Sequence, residues 1–247
     1  MSVSQTEAEE ILTALGVGPA TLTNDERSAL DRDGYVVLPG IVDNASVAAM
    51  RSVIAERLEI ARRDLTKKHG GTLHLDDVVD AGAAFDPAWS SPRLLAAVAH
   101  VLGADFHVCG AGFRGPKPGY GAQALHADDV PIAAGDRFWV ATAIVPLVDF
   151  TERNGATRVV PGSHREPVHD APAEAGPPHP RERVVTARAG DAIVFNGHLW
   201  HSGTKNTSVE RRDALQITFR RRGGRGSGLN VSNATLDRLG TAGLLLI

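Results

Sequence analysis

The sequence holds one cysteine, Cys109, in 247 residues. An internal disulfide is therefore excluded, as is a CxxC zinc site, and a reducing, cytoplasmic setting is the expectation. Long apolar runs are missing. The C-terminal AGLLLI is far too short to span a bilayer, so no membrane segment is expected. The N-terminus, MSVSQTEAEEILTALG, is acidic and lacks the basic and then apolar regions of a signal peptide. Positive charge is not in excess either. With a formal net charge of −3, no general basic patch argues for nucleic acid or an anionic membrane as a partner. The arginine-rich run FRRRGGRG reads as a strand end entering a loop. Aromatic residues are only 5%, but 43% of the chain is hydrophobic, ordinary for a soluble protein.

What is present changes character along the chain. Residues 1–104 read as helical support. TEAEEILTAL is a short amphipathic helix, and TNDERSALDRDG is a second, capped by Asn24 or Asp25 and stopped at Gly34. YVVLPG is a short strand. The segment DNASVAAMRSVIAERLEIARRDL carries Val47, Met50, Ile54, Leu58 and Ala61 at helical spacing. SPRLLAAVAHVLG opens on Ser91-Pro92 and closes at Gly103. From 105 to 222, short β-rich runs alternate with Gly, Pro, Asn and Asp, and residues 223–247 form a tail. Many short strands after a helical start predict one mainly β domain over 1–247, a sheet sandwich or jelly roll with flanking helices. HREPVHDAPAEAGPPHPRER reads as a long loop or lid, and KKHGGTLHLDD as a mobile entrance loop with His74 facing the cleft.

QALHADDVP places His126 and Asp128 two residues apart, hence on one face if the segment is extended. A polar turn at a strand end explains the same residues, so a second feature is needed. It lies downstream, where HLWH follows the apolar strand DAIVF. One histidine and one carboxylate from an early strand, with a histidine from a late one, make a two-His-one-carboxylate face suited to Fe(II). Either His198 or His201 fits by spacing. His100 and His107 flank a helix and a strand and read as packing or surface groups. His164, His169 and His179 read as solvated loop residues.

QALHAD, NGATRVVPGSHR and WHSGTKNTSVERR occur in that order. Together, from about Asp33 to Phe219, they resemble the phytanoyl-CoA dioxygenase (PhyH-like) family of Fe(II)/2-oxoglutarate-dependent oxygenases. The resemblance implies a double-stranded β-helix, the cupin-like jelly roll. It implies iron ligands at His126, Asp128 and His201, with 2-oxoglutarate and O2 as co-substrates. It also implies an arginine eleven residues beyond the distal histidine, at Arg212, on the far carboxylate of 2-oxoglutarate. Alternation in RRDALQITFR agrees. Arg212, Ala214, Gln216, Thr218 and Arg220 share the more polar face, whereas Arg211, Asp213, Leu215, Ile217 and Phe219 share the other. An arginine fork matches a carboxylate with two charged hydrogen bonds. Where family members often carry a small hydroxyl residue, this chain has Gly203, so Thr204 or Ser202 is the expected substitute. Gln123 is a further candidate for the co-substrate.

A carboxylate at Asp128 argues against halogenation, which needs a small residue there. The implied reaction is oxidation of an unactivated C–H bond of a small molecule, with hydroxylation in natural-product or amino-acid-derivative metabolism the leading form. Desaturation, epimerisation, cyclisation and demethylation use the same site. Arg114 and Lys117 are candidates for an anionic substrate group, and Phe113, Tyr120 and Trp139 for aromatic walls. Two rivals keep the fold: a metal-dependent isomerase or lyase without 2-oxoglutarate, and a non-catalytic binding module.

Overall fold

The computed structural model describes residues 4–61, 71–129, 136–166, 178–224 and 228–245. Helices α1 (Gln5–Ala14) and α2 (Asn24–Asp33) open the chain. Both start with a capping box, Ser4 with Glu7 and Thr23 with Glu26, which satisfies backbone donors at each N-terminus. The cap of α2 is thus Thr23, one residue before the expected Asn24 or Asp25. Gly34 ends that helix in the left-handed region at φ +81°. A Cβ there would stand 2.5 Å from His164 Nδ1, so conformation and space both demand glycine.

Strand β1 (Tyr35–Leu38) and helix α3 (Asn44–Ala61) follow, as their patterns predict. Val47, Met50, Ile54 and Leu58 of α3 are buried. Two 3₁₀ turns and the short α4 (Asp86–Ser90) lead to α5 (Pro92–Leu102), which buries Leu94, Leu95, Val98 and Leu102. Each such side chain contributes about 1.5–3 kcal/mol of burial free energy.

Strands β3 (Phe106–Pro116), β4 (Val140–Pro146), β5 (Thr157–Val159), β6 (Arg183–Val184), β7 (Ala192–Asn196), β8 (His201–Gly203) and β9 (Ala214–Arg221) form the β region. With β1 and β2 (Thr72–Leu75) they make two antiparallel sheets. The larger runs β1-β7-β4-β9-β3-β2, the smaller β6-β5-β8. This is the jelly-roll architecture expected, with one correction. The segment read as a mobile entrance loop contains β2, which pairs with β3 from Thr72↔Pro116 to Leu75↔Phe113. Its first residues, 67–70, lie outside the described residues, as does the 167–177 part of the expected lid.

Two hydrophobic layers hold the sheets. One packs the helices on the outer face of the larger sheet, where Phe219, Ile217, Leu215 and Phe113 meet Leu94, Leu95 and Trp89. The other fills the space between the sheets with Phe150, Val159, Ile193, Phe195 and Leu199. The C-terminal tail packs on the same core: α6 (Asn233–Leu239) and a 3₁₀ turn bring Ala242 and Leu245 into the first layer. Among the described residues, no helix is long and apolar enough to cross a membrane.

Candidate metal centre and co-substrate cavity

Alternation decides what faces the space between the sheets. Opposite residues of paired strands share a face. The rung Gly110–Thr218–Thr142–Phe195 therefore points inward, as does Gly112–Gln216–Ile144–Ile193. Outward residues such as Phe219 and Ile217 enter the helical layer instead.

His126 is joined to His201 of β8 by two backbone hydrogen bonds, 3.0 Å from the His126 N–H and 2.9 Å from the His201 N–H. The imidazoles lie side by side, ring centroids 4.5 Å apart. The Asp128 N–H donates to the Gly197 carbonyl at 2.7 Å, which aims its carboxylate at the same point. Asp128 Oδ1 is 3.5 Å from His201 Nε2. One ligand atom from each of His126, Asp128 and His201 lies within 4.8 Å of the others. Each histidine is oriented alike, with Nδ1 against the carbonyl two residues earlier: Ala124 at 2.9 Å and Leu199 at 2.8 Å. A proton on Nδ1 leaves the Nε2 lone pair for a cation. Thr142 Oγ1 donates to Asp128 Oδ2 at 2.7 Å and fixes the carboxylate from behind.

Electrostatics fits the same assignment. Burial opposes the charge on Asp128, but His201, Thr142 and His126 outweigh it and hold the carboxyl at about 2. Burial also opposes a proton on His201, and Asp128 outweighs that, raising its pKa. Burial, helped by His201, lowers that of His126. Two nitrogens and one carboxylate oxygen, without thiolate, make a donor set that suits Fe(II). His198 is not part of it. Its Nε2 accepts from the Trp139 N–H at 3.4 Å and its ring lies beside Phe138.

A cavity of about 510 Å³ opens from His126 and His201. Arg212 lines it, buried, its guanidinium 4.7 Å from the Phe150 ring. Arg212 Nε has no hydrogen-bond partner among the described residues. Burial lowers its pKa to about 10, which leaves it charged at neutral pH. Arg211 points elsewhere, paired with Asp213 and 5.6 Å from the Phe113 ring. Both arginines precede β9 and were expected inside the strand.

Gln123 lines the cavity, and its Oε1 accepts from the Gly203 N–H at 3.0 Å. Gly203 has a steric reason. A Cβ there would stand 2.7 Å from the Gly121 carbonyl oxygen, so no hydroxyl residue fits. Thr204 does not take over, because its hydroxyl donates to the Ala156 carbonyl at 2.8 Å and it does not line the cavity. Ser202 does line it, and its Oγ accepts from Arg158 Nε at 2.7 Å.

Of the expected substrate contacts, His74, Arg114 and Tyr120 line the cavity. Phe113, Lys117 and Trp139 do not. Phe113 neighbours Arg114 on β3, so it faces the opposite way, into the helical core. Trp139 is one residue out of phase with the inward Val140 and Thr142, and it lies beneath Arg221 at 5.6 Å. Lys117 is exposed in the turn beyond β3. His164, expected in solvent, is buried, and His169 lies outside the described residues. Thr142, Phe195 and Arg158 were not anticipated. Alternation in FWVATAIV marks Thr142 as the polar residue on the face of Val140 and Ile144, and that was the available signal.

The family model described as Phytanoyl-CoA dioxygenase (PhyH) matches residues 30–214. The chain is 27% identical over 221 residues to "Dioxygenase trt7" of Aspergillus terreus, covering 82% of this chain and 75% of that one. It is 30% identical over 217 residues to the uncharacterized protein Rv1501 of Mycobacterium tuberculosis, covering 81% and 76%. Among solved structures, HygX from Streptomyces hygroscopicus, with nickel, 2-oxoglutarate and hygromycin B bound, aligns with a TM-score of 0.67 at 21% identity, covering 87% of this chain and 94% of that one. The α-ketoglutarate-dependent epimerase SnoN from nogalamycin biosynthesis aligns at 0.63 and 25% identity, covering 83% and 82%.

Proposed function

This chain belongs to the phytanoyl-CoA dioxygenase family, whose members depend on Fe(II), 2-oxoglutarate and O2, and from that premise we propose that it hydroxylates an unactivated C–H bond of a small molecule in natural-product metabolism. The observation that carries this reading is the convergence of His126, Asp128 and His201 at one edge of a cavity that also holds the buried, incompletely bonded Arg212. His126, Asp128 and His201 hold the iron. Arg212 holds the distal carboxylate of 2-oxoglutarate, with Gln123 and Ser202 on the adjoining wall.

When bound there, iron with 2-oxoglutarate and O2 supplies the oxidant for the C–H bond, and the 2-oxoglutarate leaves as succinate and carbon dioxide. The chain's own residues arrange that chemistry. The Ala124 and Leu199 carbonyls keep both Nε2 lone pairs turned to the metal. Thr142 holds Asp128 so that one oxygen remains for the metal. Arg212, lying over Phe150 and remote from bulk water, gives a carboxylate a charged partner at low competition from solvent. Phe195, its ring centroid 4.4 Å from that of His201, keeps water from one side of the centre. The natural-product setting is carried over from SnoN, of nogalamycin biosynthesis, and from HygX, which is seen with hygromycin B bound.

The test is anaerobically reconstituted protein given O2, 2-oxoglutarate and a library of small natural-product scaffolds. Succinate formation stimulated by a scaffold, with one ¹⁸O atom from O2 in the product, supports hydroxylation. Stimulated succinate formation with an unlabelled, dehydrogenated or inverted product replaces hydroxylation by another outcome at the same site.

A further inference from the structure

The cavity holds one arginine more than the far carboxylate of 2-oxoglutarate requires. Among the described residues lining it are two arginines, Arg212 and Arg114, and no aspartate or glutamate. The arginines stand on the same inner face, one rung apart: the Arg212 N–H donates to the Pro116 carbonyl at 3.1 Å, beside the Ala214–Arg114 pair. Arg212 lies against Phe150, whereas Arg114 projects from β3, opposite Ala214 on one side and His74 on the other. His74 and Arg114 thus share the inward face of the β2–β3 pair.

The position of the Arg114 side chain depends on the absence of a neighbour. A Cβ at Gly112 would stand 2.7 Å from Arg114 Nη1, so the guanidinium folds back across this glycine along the inner wall. Gly112 is one rung from Gly110, which shares the level of Thr218 and of Thr142, the residue bonded to Asp128. Adjacent inward positions are roughly 7 Å apart along a strand. Arg114 therefore stands one rung nearer the candidate metal level than Arg212, on the neighbouring strand of the same wall. Its present partners hold it weakly. Nη1 donates to the Phe113 carbonyl at 2.9 Å and to Asp76 Oδ1 at 3.2 Å, and the Asp76 side chain is 75% exposed. A single contact to a water-screened carboxylate contributes little and is readily exchanged.

We propose that Arg114, with His74 beside it, is a subsite for an anionic group of the substrate, so that this enzyme acts on acidic small molecules that carry a carboxylate or a phosphate. The proposal rests on the reading of the cavity as an Fe(II)/2-oxoglutarate active site. A guanidinium fork on one wall and the metal edge near it fix a substrate at two points, which is what selection of one C–H bond requires.

The experiment is equilibrium binding to protein loaded with Zn(II) and 2-oxoglutarate, followed by ligand-observed NMR. The probes are 3-phenylpropionate, its methyl ester and 2-phenylethyl phosphate. Wild type should bind at least one anion about tenfold or more tightly than the ester, the scale of a charged hydrogen-bond pair. Arg114→Gln should reduce that anion to the level of the ester, and Arg114→Lys should retain part of the preference. Whichever of carboxylate and phosphate is preferred identifies the substrate's acidic group. Equal behaviour of anions and ester in wild type, including binding by none, overturns the proposal. So does an Arg114→Gln protein that keeps the preference. If Arg114→Gln weakens 2-oxoglutarate binding as much as anion binding, Arg114 serves the co-substrate and the proposal also fails. Failure of wild type to bind metal and 2-oxoglutarate is a separate result, and it removes the underlying reading itself.

Discussion

Replacing Thr142 by valine removes one hydrogen bond and changes little else. Valine has nearly the same shape, prefers strands, and at this fully buried position keeps the contacts of β4 with β9 and β7. What disappears is the 2.7 Å donation from Oγ1 to Asp128 Oδ2. A hydrogen bond to a charged group in such surroundings contributes about 1.5–3 kcal/mol. Water replaces it poorly, because the Asp128 side chain is only 18% exposed. Orienting contacts of this kind carry about 10- to 100-fold in metal affinity. Anaerobic Fe(II) titration of Thr142→Val should show a loss in that range, with an unchanged far-ultraviolet spectrum. Melting of the metal-free protein should fall by about 3–12 °C, from roughly 2–4 °C per kcal/mol at this chain length. An affinity within about twofold of wild type in a folded variant would refute the reasoning, since Thr142 would then not position the ligand.

Three further outcomes follow from the geometry. At a 2-oxoglutarate concentration about 100-fold above Kd, the metal-loaded protein should melt about 5–10 °C higher. Arg212→Met should lose most of that shift while still binding metal, and an undiminished shift would remove Arg212 from the site. Arg158 ties Ser202 Oγ, the Gln123 carbonyl and Glu182 together at 2.7, 3.1 and 3.0 Å. Arg158→Met should therefore raise the KM for 2-oxoglutarate about tenfold, as loss of charged hydrogen bonds predicts, with metal affinity retained; equal loss of both would mark a general structural role. Acid stability depends on His164. Burial, then the Arg165 charge, lowers its pKa from the ordinary 6.5 to about 4, so the unfolded chain takes up its proton first. Stability should fall by roughly 3 kcal/mol as pH drops from about 6.5 to about 4, then level off for this group. Urea titrations at pH 7 and 4.5 should show a smaller difference in His164→Asn, and an equal difference would assign the acid sensitivity elsewhere.

Much of this was legible in the sequence because it rests on local patterns. The period of α3 and α5, Gly34 and the alternation after Ala214 all depend on neighbours a few residues away. His126 and Asp128 were readable because an extended chain puts them on one side. The choice of His201 over His198 needed the resemblance, since both stand in HLWH and only the bridge to His126 separates them. What stayed hidden depends on partners distant in the chain. TLHL is too short to mark a strand by itself, and it became β2 because the edge of β3 was there to pair with it. Thr142 acquires its role from Asp128, and Gly203 its necessity from the Gly121 carbonyl. Phe113 and Trp139 were placed at the wrong wall because aromatic character was weighed before strand phase.

The central claim is that His126, Asp128 and His201 hold iron beside a 2-oxoglutarate seat. Anaerobic Fe(II) titration with and without 2-oxoglutarate tests it most directly, through the weak visible band that keto-acid chelation to Fe(II) produces. The account predicts a band in wild type, no band in His201→Ala, and a weaker one at equal 2-oxoglutarate in Arg212→Met. Iron bound without a band would contradict the co-substrate assignment and favour a metal-dependent isomerase or lyase, and no iron bound at all would contradict the metal centre itself.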